Sequence, residues 1–213
     1  MDSVFEVTYQ EIINNKVPTK LKNLIAVLIE SNDSYSPNWH ALGFVHCKLA
    51  TFSYGTLRLH IWPPQERHSQ EQQHKIHDHI FSLTSYVLSG SINNEIYNIQ
   101  VAQKNLASTQ CYDIDYIKGG AKISATDQYY NETQLSKSLV EEGEHYNVLS
   151  GVLHQSTVPE STFVVTIVAT YDHKVSAPRL LGPINGPESF IREQISYDKK
   201  KWIKLLRNIE NNL

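Results

Sequence analysis

Cysteine is nearly absent from these 213 residues: Cys47 and Cys111 are the only two. That is too few for a disulfide framework, and their separation lacks the Cys-x-x-Cys spacing of a zinc or redox pair. Both read as free thiols in a reducing compartment. An excess of charge of one sign is also missing. A formal net charge of -3 gives no field that would gather a phosphate backbone or an anionic bilayer surface, so nucleic acid and membrane are not expected as partners, and a small molecule is. No apolar run is long enough to span a bilayer. The first six residues, Met1-Asp2-Ser3-Val4-Phe5-Glu6, show no basic segment and no apolar stretch with a cleavage site, which makes the cytoplasm the expected location. No internal repeat or domain linker interrupts the chain, so one domain over residues 1–213 is expected.

What the chain does have is histidine. There are ten, and His60, His68, His74, His77 and His79 fall within twenty residues. Clustering of this kind raises metal binding as the chemistry to test.

Hydrophobic spacing divides the chain into three regions. Residues 1–37 form a helical segment, with Leu21, Leu24, Ile25 and Leu28 on one face and Thr19 as an N-cap. A β core is expected over 38–175. Its clearest strand is Leu57-Arg58-Leu59-His60-Ile61-Trp62, where apolar and polar residues alternate, and Pro63-Pro64 ends it. Further strands are expected at 76–88, 92–101, 111–117, 121–126, 146–149 and 162–170. So many strands without intervening helices indicate a sandwich or barrel. Residues 187–211 are expected to form one or two amphipathic helices, with Asp198 capping the second and Lys199, Lys200, Lys201, Lys204 and Arg207 on its wet face.

The polar stretch 65–75 reads as an exposed loop carrying His68 and His74, either a lid or a plain connection. Glu141-Glu142-Gly143-Glu144 reads as a turn rather than an acid–base pair, and the sequence does not place Tyr129, Tyr130 or Tyr171.

His77-Asp78-His79 sits at the start of an expected strand, where residues i and i+2 point to the same side and both imidazoles can face one ion. The segment resembles the first cupin motif, His-x-His, then a Glu, then a Gly. Leu83 takes the Glu position and Gly90 arrives on schedule. Leu149-Ser150-Gly151-Val152-Leu153-His154 resembles the second motif, Pro-x-Gly-x-x-His, with Leu149 in place of the Pro and Val158 in place of the later Asn. The resemblance covers roughly residues 45–171.

The resemblance implies a mainly β fold, a cupin-type double-stranded β-helix (jelly-roll) barrel with N- and C-terminal helices. It also implies His154 as the third metal ligand beside His77 and His79. Leu83 cannot coordinate, which leaves three neutral histidines, similar to the cysteine-dioxygenase-type thiol dioxygenases and to diketone-cleaving dioxygenases. By that analogy the cofactor is Fe(II), with Zn, Ni or Mn as alternative divalent metals, since imidazole suits Fe, Zn, Cu and Ni alike and does not fix the metal. The apolar strand ending in Trp62 before Ile76-His77-Asp78-His79 is similar to the thiol dioxygenase pattern as well. There alternate residues of this strand line the pocket, so His60 and Arg58 are candidate catalytic residues, and Trp62, Arg58, Phe81 and Leu83 are candidate substrate contacts.

The plainer readings stand beside these, with His60 as an ordinary strand histidine, Arg58 as a solvated arginine and Trp62 as core. The family's Ser-His-Tyr set after the third ligand is absent, since 163–169 offers no His or Tyr. The implied function is a dioxygenase acting on a small organic, thiol or amino-acid-like substrate. The alternatives are a ligand-binding cupin without turnover and a metal-dependent isomerase or hydrolase. A homodimer is the assembly implied by analogy with cupins.

Overall fold

Two-residue alternation builds the first sheet, and three- to four-residue spacing builds the helices that cover it. The computed structural model describes residues 3–70, 73–174 and 177–213. Two helices, α1 (Val4–Ile13) and α2 (Leu21–Glu30), come first. Strands β1 (Asn38–Trp39), β2 (Val45–Phe52), β3 (Gly55–Trp62), β4 (Ser82–Ser89), β5 (Ser91–Val101), β6 (Thr109–Ile117), β7 (Gly120–Glu141), β8 (His145–Val148), β9 (Leu153–Thr157), β10 (Val164–Tyr171), β11 (Arg179–Gly182), β12 (Ser189–Glu193) and β13 (Ile195–Ser196) follow, and α3 (Lys199–Asn211) closes the described chain. The protein is therefore mainly β, with a few helices.

The strands form two antiparallel sheets, ordered β13-β1-β2-β3-β10-β4-β8 and β11-β6-β7-β5-β9, with β12 added beside β7. Among the described residues neither sheet is closed on itself. In β3 the apolar set Leu57, Leu59 and Ile61 is fully buried. It packs with Val45 and Cys47 of β2, Val165, Ile167 and Ala169 of β10, and Tyr9, Leu24, Leu28, Trp202 and Leu206 of the three helices. This layer is where the burial free energy concentrates, at ~25 cal/mol per Å² of apolar surface. The alternate residues of β3, Arg58 and His60 among them, consequently face the space between the sheets. Gly90 is the whole connection from β4 to β5. Its φ is +78°, and a Cβ there would lie 2.5 Å from the Phe163 carbonyl oxygen, so no other residue fits without a shift.

Several expectations need correction. Thr19 does not cap α2: Lys20 holds that position without a side-chain bond. The Thr19 hydroxyl donates instead to Glu11 Oε1 at 2.6 Å. The strand expected at 76–88 begins only at Ser82, and the strand expected at 121–126 is part of the 22-residue β7. Residues 189–193 form a strand against β7 rather than a helix. The sheets therefore continue past 175, and among the described residues of that region α3 alone is helical. Asp198 does cap α3, accepting from Lys201 N–H at 2.8 Å. Gly143, with φ +85°, turns the chain between β7 and β8 as expected of the Glu-rich segment. Cys47 and Cys111 are free and buried. Among the described residues no helix is long and apolar enough to cross a membrane.

Candidate metal centre

His77 and His79 are not carried by a strand proper. Residues 76–79 form a short irregular segment that bonds on both sides. His77 N–H donates to the His154 carbonyl at 3.0 Å, and His154 N–H returns a bond to the His77 carbonyl at 2.8 Å. On the other side Asp78 N–H donates to the Arg179 carbonyl at 3.0 Å, and Leu181 N–H to the Ile76 carbonyl at 2.9 Å. The segment thus touches β9 and β11, the two edges of the second sheet. This puts His154, on β9, directly opposite His77.

The three imidazoles converge. Ring centroids lie 4.7 Å apart for His77 and His79, 4.7 Å for His77 and His154, and 5.1 Å for His79 and His154. One ligand nitrogen from each falls within 4.8 Å of the others. An ion at ~2.1 Å from each nitrogen would hold them ~3 Å apart, so small side-chain rotations close the set. Their hydrogen bonding fits that use. His77 Nδ1 lies 2.8 Å from the Lys75 carbonyl oxygen, which can only accept, so Nδ1 carries the proton and Nε2 keeps its lone pair. Among the described residues neither ring nitrogen of His154, both buried, has a hydrogen-bond partner, a costly state for a polar group unless a lone pair is used. Burial holds the pKa of His79 and of His154 well below the ordinary value and also lowers that of His77, keeping all three neutral.

Asp78, between the ligands, points the other way. Its carboxylate accepts from Arg179 N–H at 2.6 Å and from Arg179 Nε–H at 2.7 Å. The same guanidinium donates to the Gly151 carbonyl at 3.2 Å, while Gly151 N–H donates to the His79 carbonyl at 2.9 Å. Asp78 and Arg179 therefore clamp the ligand segment to β11 and to the turn that precedes His154.

The centre opens on a cavity of about 510 Å³ between the sheets. Arg58, His60, Trp62, Phe81 and Leu83 all line it. The Arg58 guanidinium lies 5.1 Å from the centroid of the Phe81 ring, and Phe81 in turn stacks on His79 at 4.8 Å. Arg58 Nε–H donates to Thr56 Oγ1 at 3.1 Å, and among the described residues no carboxylate forms an ion pair with it. Burial lowers its pKa. Trp62 stacks on Phe44 at 4.6 Å, and His60 lies 5.0 Å from Phe44 and 6.2 Å from Trp62, along the wall rather than against the three ligands. Leu83 packs with Val148 and Val168. Tyr116, 72% exposed, stands at the mouth on the β6–β7 hairpin.

Sequence reasoning missed His40 and His46, which share the cavity, and the Asp78–Arg179 clamp. Asp78 was in view inside His-Asp-His, but nothing in the sequence linked it to a residue 101 positions away. Tyr129, Tyr130 and Tyr171 are not among the lining residues. In the 65–75 loop, residues 71 and 72 lie outside those described. The rest of the loop is tied down: Gln70 N–H donates to the Ala41 carbonyl at 3.0 Å, and Arg67 to the Pro159 and Thr162 carbonyls at 3.2 Å each. His68 is exposed, as expected. His74 is not exposed: it is fully buried, edge-on to Tyr112 at 4.7 Å and tilted against Phe190 at 5.2 Å. The Tyr112 and Phe190 rings packed against it account for the burial. No family model matches the chain, and no curated protein matches it either.

Proposed function

We propose that this protein is a metal-dependent enzyme of the cupin type, a non-haem Fe(II) dioxygenase that acts on a small organic anion. The observation that carries this reading is the set of three neutral imidazoles, His77, His79 and His154, with ligand atoms within 4.8 Å of one another and no carboxylate among them, opening on a cavity of about 510 Å³. When bound there, Fe(II) supplies adjacent open positions for substrate and dioxygen and the electrons that activate the latter.

The chain's own residues do the rest. Three neutral ligands leave the ion's charge uncompensated, and Arg58 adds a half-buried cation that forms no ion pair among the described residues, so the cavity favours an anion. Arg58 binds the anionic group of the substrate, such as a carboxylate, by paired N–H donors. Phe81, Leu83 and Trp62 hold the apolar body and exclude water, and His60 offers a ring nitrogen further along the wall. The cavity volume lies within the ~300–1,000 Å³ range of small-molecule sites. The bonding of residues 76–79 to both edges of the second sheet supports the cupin-type architecture.

The test is oxygen consumption by Fe(II)-loaded protein with thiol, diketone and amino-acid substrates, wild type beside His154→Ala. Substrate-dependent uptake that the variant abolishes supports the reading. Product formed without oxygen points to an isomerase or hydrolase, and tight ligand binding without turnover points to a non-catalytic binding protein. Either outcome rejects the dioxygenase.

A further inference from the structure

The cavity holds a second group of histidines, and one of them is built differently from the metal ligands. His40 lies in the turn between β1 and β2. His40 N–H donates to the Phe44 carbonyl at 2.7 Å, and Gly43 N–H donates back to the His40 carbonyl at 2.9 Å. Gly43 holds φ at +88°, which this tight return requires. The ring is fixed twice more: it stacks on Phe44 at 4.3 Å and 16°, and its Nδ1 accepts from Leu42 N–H at 3.2 Å.

That last bond decides the tautomer. A backbone N–H can only donate, so Nδ1 carries no proton, and the single proton of the neutral ring is on Nε2. His77 is the reverse case, with Nδ1–H donating to Lys75 and Nε2 left as a lone pair. His40 is therefore an N–H donor and a poor metal ligand, although it lines the same cavity. Its ring touches Phe44 and His46, the latter at 5.6 Å. It is near enough to His77 and His79 to interact with them electrostatically, with no ring contact to either among the described residues. His40 lines the same cavity as His77, His79 and His154, so its ring and a ligand atom on the open side of the three-histidine set share one space.

Resting on the metal-centre reading above, we propose that His40 donates a preset Nε2–H bond to an anionic atom bound on the open side of His77, His79 and His154. The centre then selects ligands whose binding atom keeps a spare lone pair, such as a thiolate, enolate or carboxylate. The turn pre-organises the donor before the ligand arrives, so little ordering cost is left at binding.

The test uses the full chain loaded with Co(II), with azide as the anionic probe and the visible cobalt bands as the readout. Wild type, His40→Phe, which keeps the stack on Phe44 and loses the N–H, and His40→Gln, which restores a donor, are compared. The proposal expects unchanged cobalt stoichiometry in all three, azide affinity lowered about tenfold or more in His40→Phe, and partial recovery in His40→Gln. Equal azide affinity in wild type and His40→Phe, or cobalt bands that azide never perturbs, overturns it while leaving the metal centre standing. Cobalt lost on His40 substitution also overturns it, by making His40 a ligand or a structural part. Should His40→Phe fail to fold, His40→Ala takes its place: azide affinity lowered about tenfold or more in His40→Ala and partly recovered in His40→Gln supports the donor role, and equal affinity in His40→Ala and wild type rejects it. Failure of wild type to take up cobalt removes the metal centre and this inference with it.

Discussion

Arg58 is a poor choice for stability. Its guanidinium is drawn out of water, makes one hydrogen bond to Thr56, and forms no ion pair with a carboxylate among the described residues. A desolvated cation of that kind costs free energy that packing alone does not return. Arg58→Met keeps the volume over Phe81 and removes the charge. It should therefore raise stability by ~1 kcal/mol, read as an upward shift in the denaturant midpoint, while weakening substrate binding through a higher KM. Lower stability in Arg58→Met would instead make the residue a structural one. The sequence showed Arg58 on the correct strand but left its face open between pocket and solvent. Only the burial of Leu57, Leu59 and Ile61 beneath the helices resolves that choice.

The Asp78–Arg179 pair acts at the scale of elements, since it fastens the ligand segment to β11 and to the turn before β9. Removing a partner that orients metal ligands from behind typically costs ~10–100-fold in metal affinity. Asp78→Ala is expected to fall in that range by metal competition with a chelator, with the sheet content unchanged by circular dichroism. Affinity equal to wild type would show that the paired backbone bonds of His77 and His154 suffice alone.

The same elements show what a sequence can and cannot display. Strand β3 was legible because its alternation reflects a real two-sided environment, helices on one face and cavity on the other. His77-Asp78-His79 imitates that alternation, yet residues 76–81 are irregular and owe their geometry to β9 and β11, which lie about 75 and 100 residues downstream. Ile191 and Ile195 stand four apart, as on a helix face, but 189–193 is drawn into pairing with β7, a non-local partner. The length of β7 was hidden for a related reason: residues 131–139 are almost all exposed and polar, so no hydrophobic period marks them.

For the whole molecule, the gathering of His40, His46, His60, His77, His79 and His154 around one cavity couples fold to pH. Burial lowers the pKa of each of these imidazoles, that of His46 from 6.5 to about 4. A depressed histidine pKa means that the unfolded chain binds more protons than the folded chain once pH drops below about 6.5. The metal-free protein is therefore expected to hold its stability above pH 6.5 and to lose it progressively as pH falls. His46 alone accounts for on the order of 3 kcal/mol by the time pH passes its folded value. Denaturant titrations across pH 4 to 7 on metal-free protein read this directly, and a flat profile over that window would mean that the imidazoles are already solvated. Saturating metal should restore part of the loss by mass action on the folded state.

At this scale the sequence conveyed the mainly β character and the two histidine-bearing segments, because both rest on local patterns. It could not convey that sheet strands continue past residue 175, or that His40 and His46 share the cavity with the ligands, because those relations exist only after the chain has folded.

The most direct test of the account is elemental analysis of the anaerobically purified protein, wild type beside His154→Ala, for iron, zinc, nickel, manganese and copper. The account predicts about one divalent ion per wild-type chain, with iron the metal that supports oxygen chemistry, and its loss in the variant without loss of sheet content. No bound metal even after reconstitution, or full retention in His154→Ala, would contradict it.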